Sequence, residues 1–256
     1  MEIRCTYGDK MQEKITIIMP IYKSVEYLKF VTNSLKEHTP EEHEFLVIAN
    51  GATKEVIDYL IENNYNWITN EEYNKDKHYL VNVYIAYNEG IKKAKGDIIV
   101  MINSDMAFSK DWLSNLLKHL KKDNIISSRL IEAGKMPSGV HGISKSFGNH
   151  PLQFKREVFE SFAEQIKVKD HKTPWGMFAP IAYYKETIMK FDGYPHGNIY
   201  IDYYGKPLNI PGDVYIFALM ASKGILLYTS FDSIVYHFQE GETREEEDLD
   251  GTKENR

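Results

Sequence analysis

One cysteine, Cys5, is all the chain contains, which excludes an internal disulfide framework and any cysteine-based metal site. The lack of disulfides fits a reducing compartment. No stretch reaches the ~18 apolar residues of a membrane span. The opening MEIRCTYGDKMQEK has no apolar run of the signal-peptide kind. A soluble, cytoplasmic protein with no transmembrane segment is therefore expected. A net positive charge is also missing. The net charge is −6, and most of it sits between Gln239 and Arg256, where eight acidic residues face three basic ones. The rest of the chain is nearly neutral and implies no basic face, so nucleic acid is not an expected partner. Internal repeats are absent, and so is a Gly-rich phosphate loop.

What is present describes an ordinary globular chain. At 256 residues it can bury a full core, and 43% hydrophobic with 27% charged residues excludes a disordered polymer. ITIIMPIY, from Ile15 to Tyr22, is a continuous apolar run of the kind found in strands buried on both faces. Ser24 then stands as an N-cap, with Val25, Leu28, Val31 and Leu35 at helical spacing. A second strand, Glu44 to Asn50, precedes Gly51 and a helix from Lys54 to Asn63. A third step runs near Trp67 to Thr69. Leu80 to Lys95 reads as a helix, Ile98 to Ile102 as a strand, and Asp111 opens a helix through Leu120. Beyond Asn124 the periodicity weakens. Gly134 to Pro151 reads as loop, with glycines at 139, 142 and 148 that would permit a mobile lid. Phe154 to Phe162 reads as helix, Trp175 to Tyr184 as strand, and Val214 to Ser222 as a buried helix. ILLY and SIVYHF read as two short strands, and the acidic end as a solvated tail.

Alternating strands and helices with short turns predict a mostly parallel α/β sheet. Ligands of such sheets collect beyond the carboxyl ends of the strands. Polar groups stand at those ends: Tyr22-Lys23-Ser24, Asn50-Gly51 and Asn103-Ser104-Asp105. Read singly, each has a plain structural role. Asp105 would cap a turn, Asp213 would cap a helix, and His237 would be a satisfied core histidine.

Six segments in order change that balance. TIIMPIYKSVEYLKFVTNSL, EFLVIANGATKEVIDYL, YNEGIKKAKGDIIVMINSD, FDGYPHG, GDVYIFALMASKG and VYHF together resemble glycosyltransferase family 2, the large inverting group with a GT-A fold. The resemblance runs from Lys14 to Phe238. It implies an N-terminal extension at 1–13, one GT-A domain at 14–238 and an acidic tail at 239–256. The implied domain is a mostly parallel central sheet flanked by helices, with a small additional β region on the acceptor side.

The resemblance also implies roles. Asp105 matches the last acid of a DxD metal motif and would hold Mn²⁺ or Mg²⁺, hard ions that share oxygen ligands with phosphate. His237 matches a late histidine that approaches the metal. Asp213 matches the general base that takes the acceptor's proton. Pro20, Tyr22 and the loop at Asn50 and Gly51 fall to the nucleoside, and Asn88 to a helix facing the donor phosphates. Asn103, with Ser104 beside it, replaces the first acid and is left to hydrogen-bond the donor. Trp175, Gly176 and Met177 are candidates for the acceptor side. The expected partners are a nucleotide-sugar and a glycan or other hydroxyl acceptor. The chain departs from the pattern at Ala49, Asn103, Gly212 and Tyr215. Those losses keep a second reading open, a non-catalytic nucleotide-sugar or glycan-binding module. A nucleotidyltransferase is a poor third, because PIYKSVEY is no Gly-rich loop.

Overall fold

The structure, a computed structural model, describes residues 13–136, 138–176, 179–195, 198–200 and 209–239. The expected extension and tail, apart from Glu13 and Gln239, lie outside the described residues. The first half is a regular alternation: β1 (Ile15–Ile21), α1 (Val25–His38), β2 (Glu44–Ala49), α2 (Lys54–Glu62), β3 (Trp67–Thr69), α3 (Tyr79–Lys93) and β4 (Ile98–Met101). The helices begin where side chains offer caps. Ser24 Oγ accepts the Tyr27 N–H at 3.2 Å, and Thr53 Oγ1 accepts the Val56 N–H at 3.4 Å. β2 and β4 flank β1 in parallel, and β3 pairs parallel with the far edge of β2.

The second half is less regular. It contains β5 (Met106–Phe108), α4 (Trp112–Leu117), β6 (Asn124–Glu132), β7 (Ile143–Ser144), α5 (Arg156–Ile166), β8 (Lys172–Pro174) and β9 (Ile181–Tyr184). After these come α6 (Lys185–Met189), β10 (Asn198–Tyr200), β11 (Asn209–Pro211), α7 (Gly212–Ser222) and β12 (Leu226–His237). The main sheet runs β3-β2-β1-β4-β9-β6-β12-β5, with β7 beside β6 and β8 beside β12. β9 is antiparallel to both β4 and β6, while β6 and β12 are parallel. The architecture is a mostly parallel central sheet flanked by helices, with β10 and β11 forming a separate antiparallel pair.

Four readings of the sequence are corrected. The weak periodicity after Asn124 hides β6, a strand buried along nearly its whole length in which Ser127 and Ser128 are fully covered. Their hydroxyls are satisfied inside the sheet, Ser128 with Ser233 at 2.7 Å and Ser127 with the Tyr228 carbonyl at 3.3 Å. ILLY and SIVYHF belong to one strand, β12, whose register shifts between Ser230 and Ile234 in a bulge. Within Trp175 to Tyr184 the strand is Ile181–Tyr184, and Trp175 turns with φ +68°. Asp111 does not cap α4 with its side chain either, and that helix stops at Leu117.

Side chains alternate across the sheet. Ile17, Met19 and Ile21 of β1 pack with α1, α2 and α4, while Ile18 joins α3, α6 and α7 on the other face. A third, aromatic cluster seats α5 on β12 through Phe147, Phe159, Tyr236 and Phe238. Among the described residues no helix is long and apolar enough to cross a membrane.

Candidate active site

Parallel strands release their chains at one edge. At and beyond the ends of β1, β2 and β4 the backbone leaves Pro20, Tyr22, Asn50, Asn103, Ser104 and Asp105 on the wall of a single cleft of ≈ 490 Å³. The start of α7 adds Asp213 to that wall. Residues distant in sequence thus meet because parallel strands share a direction.

Asp105 lies just before β5, which pairs with the end of β12 so that Met106 faces His237. Asp105 Oδ1 is 3.3 Å from His237 Nε2, and Glu132 Oε1 at the end of β6 is 3.4 Å from His237 Nδ1. Burial opposes a charge on the imidazole, but the carboxylates of Asp105 and Glu132 outweigh it and raise His237 to about 10. The donor set fits a hard divalent cation. A carboxylate oxygen and an imidazole nitrogen 3.3 Å apart match the roughly 3 Å between neighbouring ligands on bonds of about 2.1 Å. Glu132 on the far ring nitrogen is the carboxylate that commonly orients a ligating histidine. A cation here would take the place of the imidazole proton, so its uptake would compete with protonation.

Asp213 sits in the first turn of α7, where Oδ1 accepts the Val214 N–H at 2.7 Å. Burial raises its pKa, and hydrogen bonds from the Val214 N–H and the Tyr84 hydroxyl hold it partly down. Tyr84 stacks on Tyr194 at 5.9 Å with planes 3° apart, and Tyr87 leans on the same ring at 5.4 Å. Tyr87 also donates its hydroxyl to Asn103 Oδ1 at 3.1 Å. This leaves the Asn103 amide nitrogen as the end of that side chain able to donate a hydrogen bond to a ligand.

The remaining wall comes from residues 70–80. Asn70 donates to Asn50 Oδ1 at 2.8 Å and to the Asn82 carbonyl at 3.2 Å. Asn82 donates to the Asn74 carbonyl at 2.9 Å and accepts the Asn74 N–H at 3.0 Å. These buried amides clip the segment over the end of β2, so that Tyr73 covers Gly51 and tilts toward Tyr22 at 6.4 Å. Gly51 has φ +68°, and a Cβ there would stand 2.2 Å from the Tyr73 ring.

The sequence profile of Glycosyl transferase family 2 matches residues 16–162, more than half of the chain and both flanks of Asp105. The chain belongs to glycosyltransferase family 2. An uncharacterized glycosyltransferase of Rickettsia conorii is 27% identical over 133 residues, which are 50% of this chain and 21% of that protein. The chain is thus much shorter than that relative. Solved structures share the GT-A fold at low identity. GalNAc-T7 with UDP, GalNAc and Mn²⁺ superposes with TM-score 0.62 at 14% identity, covering 90% of this chain and 44% of that one. The mannosyltransferase PcManGT from Pyrobaculum calidifontis, with GDP-Man and Mn²⁺, gives 0.57 at 15%, covering 89% and 57%. S. aureus TarS 1–349 gives 0.56 at 15%, covering 88% and 60%.

Within this family 2 chain, the expected site residues divide. Pro20, Tyr22, Asn50, Asn103, Ser104, Asp105 and Asp213 line the cleft; Gly51 lies beneath Tyr73, and His237 lies behind Asp105. Asn88 is corrected. It is buried, and its amide is used on Tyr194, accepting that N–H at 2.8 Å and donating to that carbonyl at 2.7 Å. It clasps the FDGYP turn to α3 and so acts on the cleft only through the tyrosines. Trp175 and Gly176 are also corrected, because they stand at the opposite end of β12 from His237. The Trp175 N–H donates to the Leu227 carbonyl at 2.8 Å, and Gly176 fits against Ser127 and Thr229. Met177 lies outside the described residues. The glycine-rich segment after β6 is pinned where it is described. Arg129 donates to the His141 carbonyl at 3.0 Å and Tyr236 to the Gly148 carbonyl at 2.7 Å.

Sequence reasoning missed Tyr73, Lys75, Lys77, Asn82, Tyr84 and Tyr87, all on the cleft wall. NEEYNKDKH looks like any polar loop. Leu80, Tyr84 and Tyr87, at helical spacing, look like a core stripe until α3 is seen to overhang the sheet edge.

Proposed function

We propose that this protein transfers a sugar from a nucleotide-sugar to a hydroxyl acceptor, with inversion and with help from a divalent metal. The observation that carries the reading is the meeting, on the wall of one cleft, of Asp105, backed by His237, with the half-buried carboxylate of Asp213. Two structures of the same fold hold Mn²⁺ with UDP or GDP-Man, which supports a nucleotide and a metal here. Asp105 and His237 would hold the ion, which as a Lewis acid stabilises charge on the departing diphosphate. Tyr22 and Tyr73 offer ring faces to the base. Asn103, its oxygen engaged by Tyr87, donates to the donor. Asp213 accepts the acceptor's proton and aligns the attacking oxygen.

The test is a panel of nucleotide-sugars, with and without Mn²⁺ or Mg²⁺, followed for release of nucleoside diphosphate. Slow, metal-dependent release from one donor is expected. Donor binding without release on any acceptor tested would favour the binding-module reading, which the loss of acids at Ala49 and Asn103 supports. Neither binding nor release would sink both.

Gly51→Ala probes the base end of the cleft. The added methyl meets Tyr73 and a left-handed backbone, so a stability loss of about 1 kcal/mol is expected. Donor affinity should fall about tenfold as Tyr73 is displaced. Urea unfolding and calorimetry with the preferred nucleotide read the two effects separately. Unchanged nucleotide affinity would remove Tyr73 from the base site.

A further inference from the structure

The charged residues between Asn70 and His78 are sorted by side. Lys75 and Lys77 line the cleft, whereas Glu71, Glu72 and Asp76 do not. Glu72 instead acts on Lys92, on the outer face of α3. Neither lysine has an acidic partner among the described residues. Their segment is also held in place, because the amide clasp of Asn70, Asn74 and Asn82 ends with Asn74 Oδ1 accepting the Asp76 N–H at 2.9 Å. Two ammonium groups on one wall of a cleft, carried by a strip of backbone held in place, both attract an anion that enters it. The rest of the wall needs such an anion balanced. Asn103, a neutral amide, stands on that wall where a second carboxylate would be, so one negative charge fewer opposes an anion there.

We propose that Lys75 and Lys77 bind the diphosphate of the nucleotide, a second cationic contact besides the Asp105–His237 pair. The proposal rests on the nucleotide-sugar reading above and names a part of that site. The same phosphates occur in the intact donor and in the nucleoside diphosphate it leaves, so both are ligands of the lysines.

The test uses the full chain and its Lys75→Gln, Lys77→Gln double variant, both substitutions being at exposed positions. Calorimetry with Mn²⁺ present measures UDP, GDP, ADP and CDP, the matching nucleosides, and the nucleotide-sugar of the best binder. The expected result is a loss of about tenfold or more for the nucleoside diphosphate and its sugar, with nucleoside affinity unchanged. The salt dependence of diphosphate binding should weaken in the variant. Equal diphosphate affinity in the two proteins overturns the proposal and leaves the nucleotide-sugar reading standing. A parallel loss for nucleoside and diphosphate also overturns it, since that assigns the lysines to the shape of the loop. Absence of all nucleotide binding in the unmodified chain overturns both readings.

Discussion

Asp213→Asn is expected to slow sugar transfer by about 100- to 10,000-fold while donor affinity stays within about twofold. The amide keeps the shape of the side chain and can still accept the Val214 N–H, but it cannot remove a proton. Burial makes Asp213 more basic than an exposed aspartate, which brings it nearer to the pH at which a general base works well. The sign of the pH effect follows. The base acts as the carboxylate, so transfer should rise with pH through the raised pKa of Asp213 and level off above it. The acid limb should vanish from the residual activity of Asp213→Asn. Initial rates across pH, with donor binding measured alongside, decide the matter. Normal turnover, or an unchanged acid limb, would leave Asp213 as a helix-start residue only.

Asp105→Ala is expected to reduce metal-dependent turnover by about a thousandfold, equivalent to about 4 kcal/mol of transition-state stabilisation. The substitution removes the only carboxylate of the expected metal motif, because Asn103 holds the other place. It also leaves Glu132 as the acidic partner of His237 among the described residues. Titration of Mn²⁺ in the presence of nucleoside diphosphate would show the loss directly. Metal affinity equal to that of the unmodified chain would move the ion elsewhere. The two variants differ in kind: one should keep the donor and lose the chemistry, and the other should lose the metal-linked part of donor binding.

The legible part of the fold was its regular part. β1, α1, β2, α2, α3 and β4 follow from apolar runs and caps, because strands buried on both faces cannot tolerate polar residues without internal partners. β6 escaped because its serines find such partners, Ser128 on Ser233 and Ser127 on the Tyr228 carbonyl. β12 looked like two strands because a bulge absorbs the polar stretch around Asp232. Those are tertiary solutions, and no window of sequence contains both halves of them.

The site divides along the same line. Residues at strand ends were readable, since Pro20 ends β1, and Asn50 and Asp105 follow strands, whose direction the α/β alternation already implies. Asn88 misled because a polar residue on a helix looks the same whether it faces a ligand or a backbone turn. Its clasp on Tyr194 depends on a segment far along the chain. Alone, the sequence determined the family, the central strands and the polar groups at their ends, Asp105 among them, because apolar period and local caps act within a few residues. The tertiary structure alone decided that Glu132 would orient His237, that Tyr84 would bond to Asp213, and that Lys75 and Lys77 would face the cleft. Each of these is a contact made by the folding of the sheet, and its energy exists only once distant segments meet.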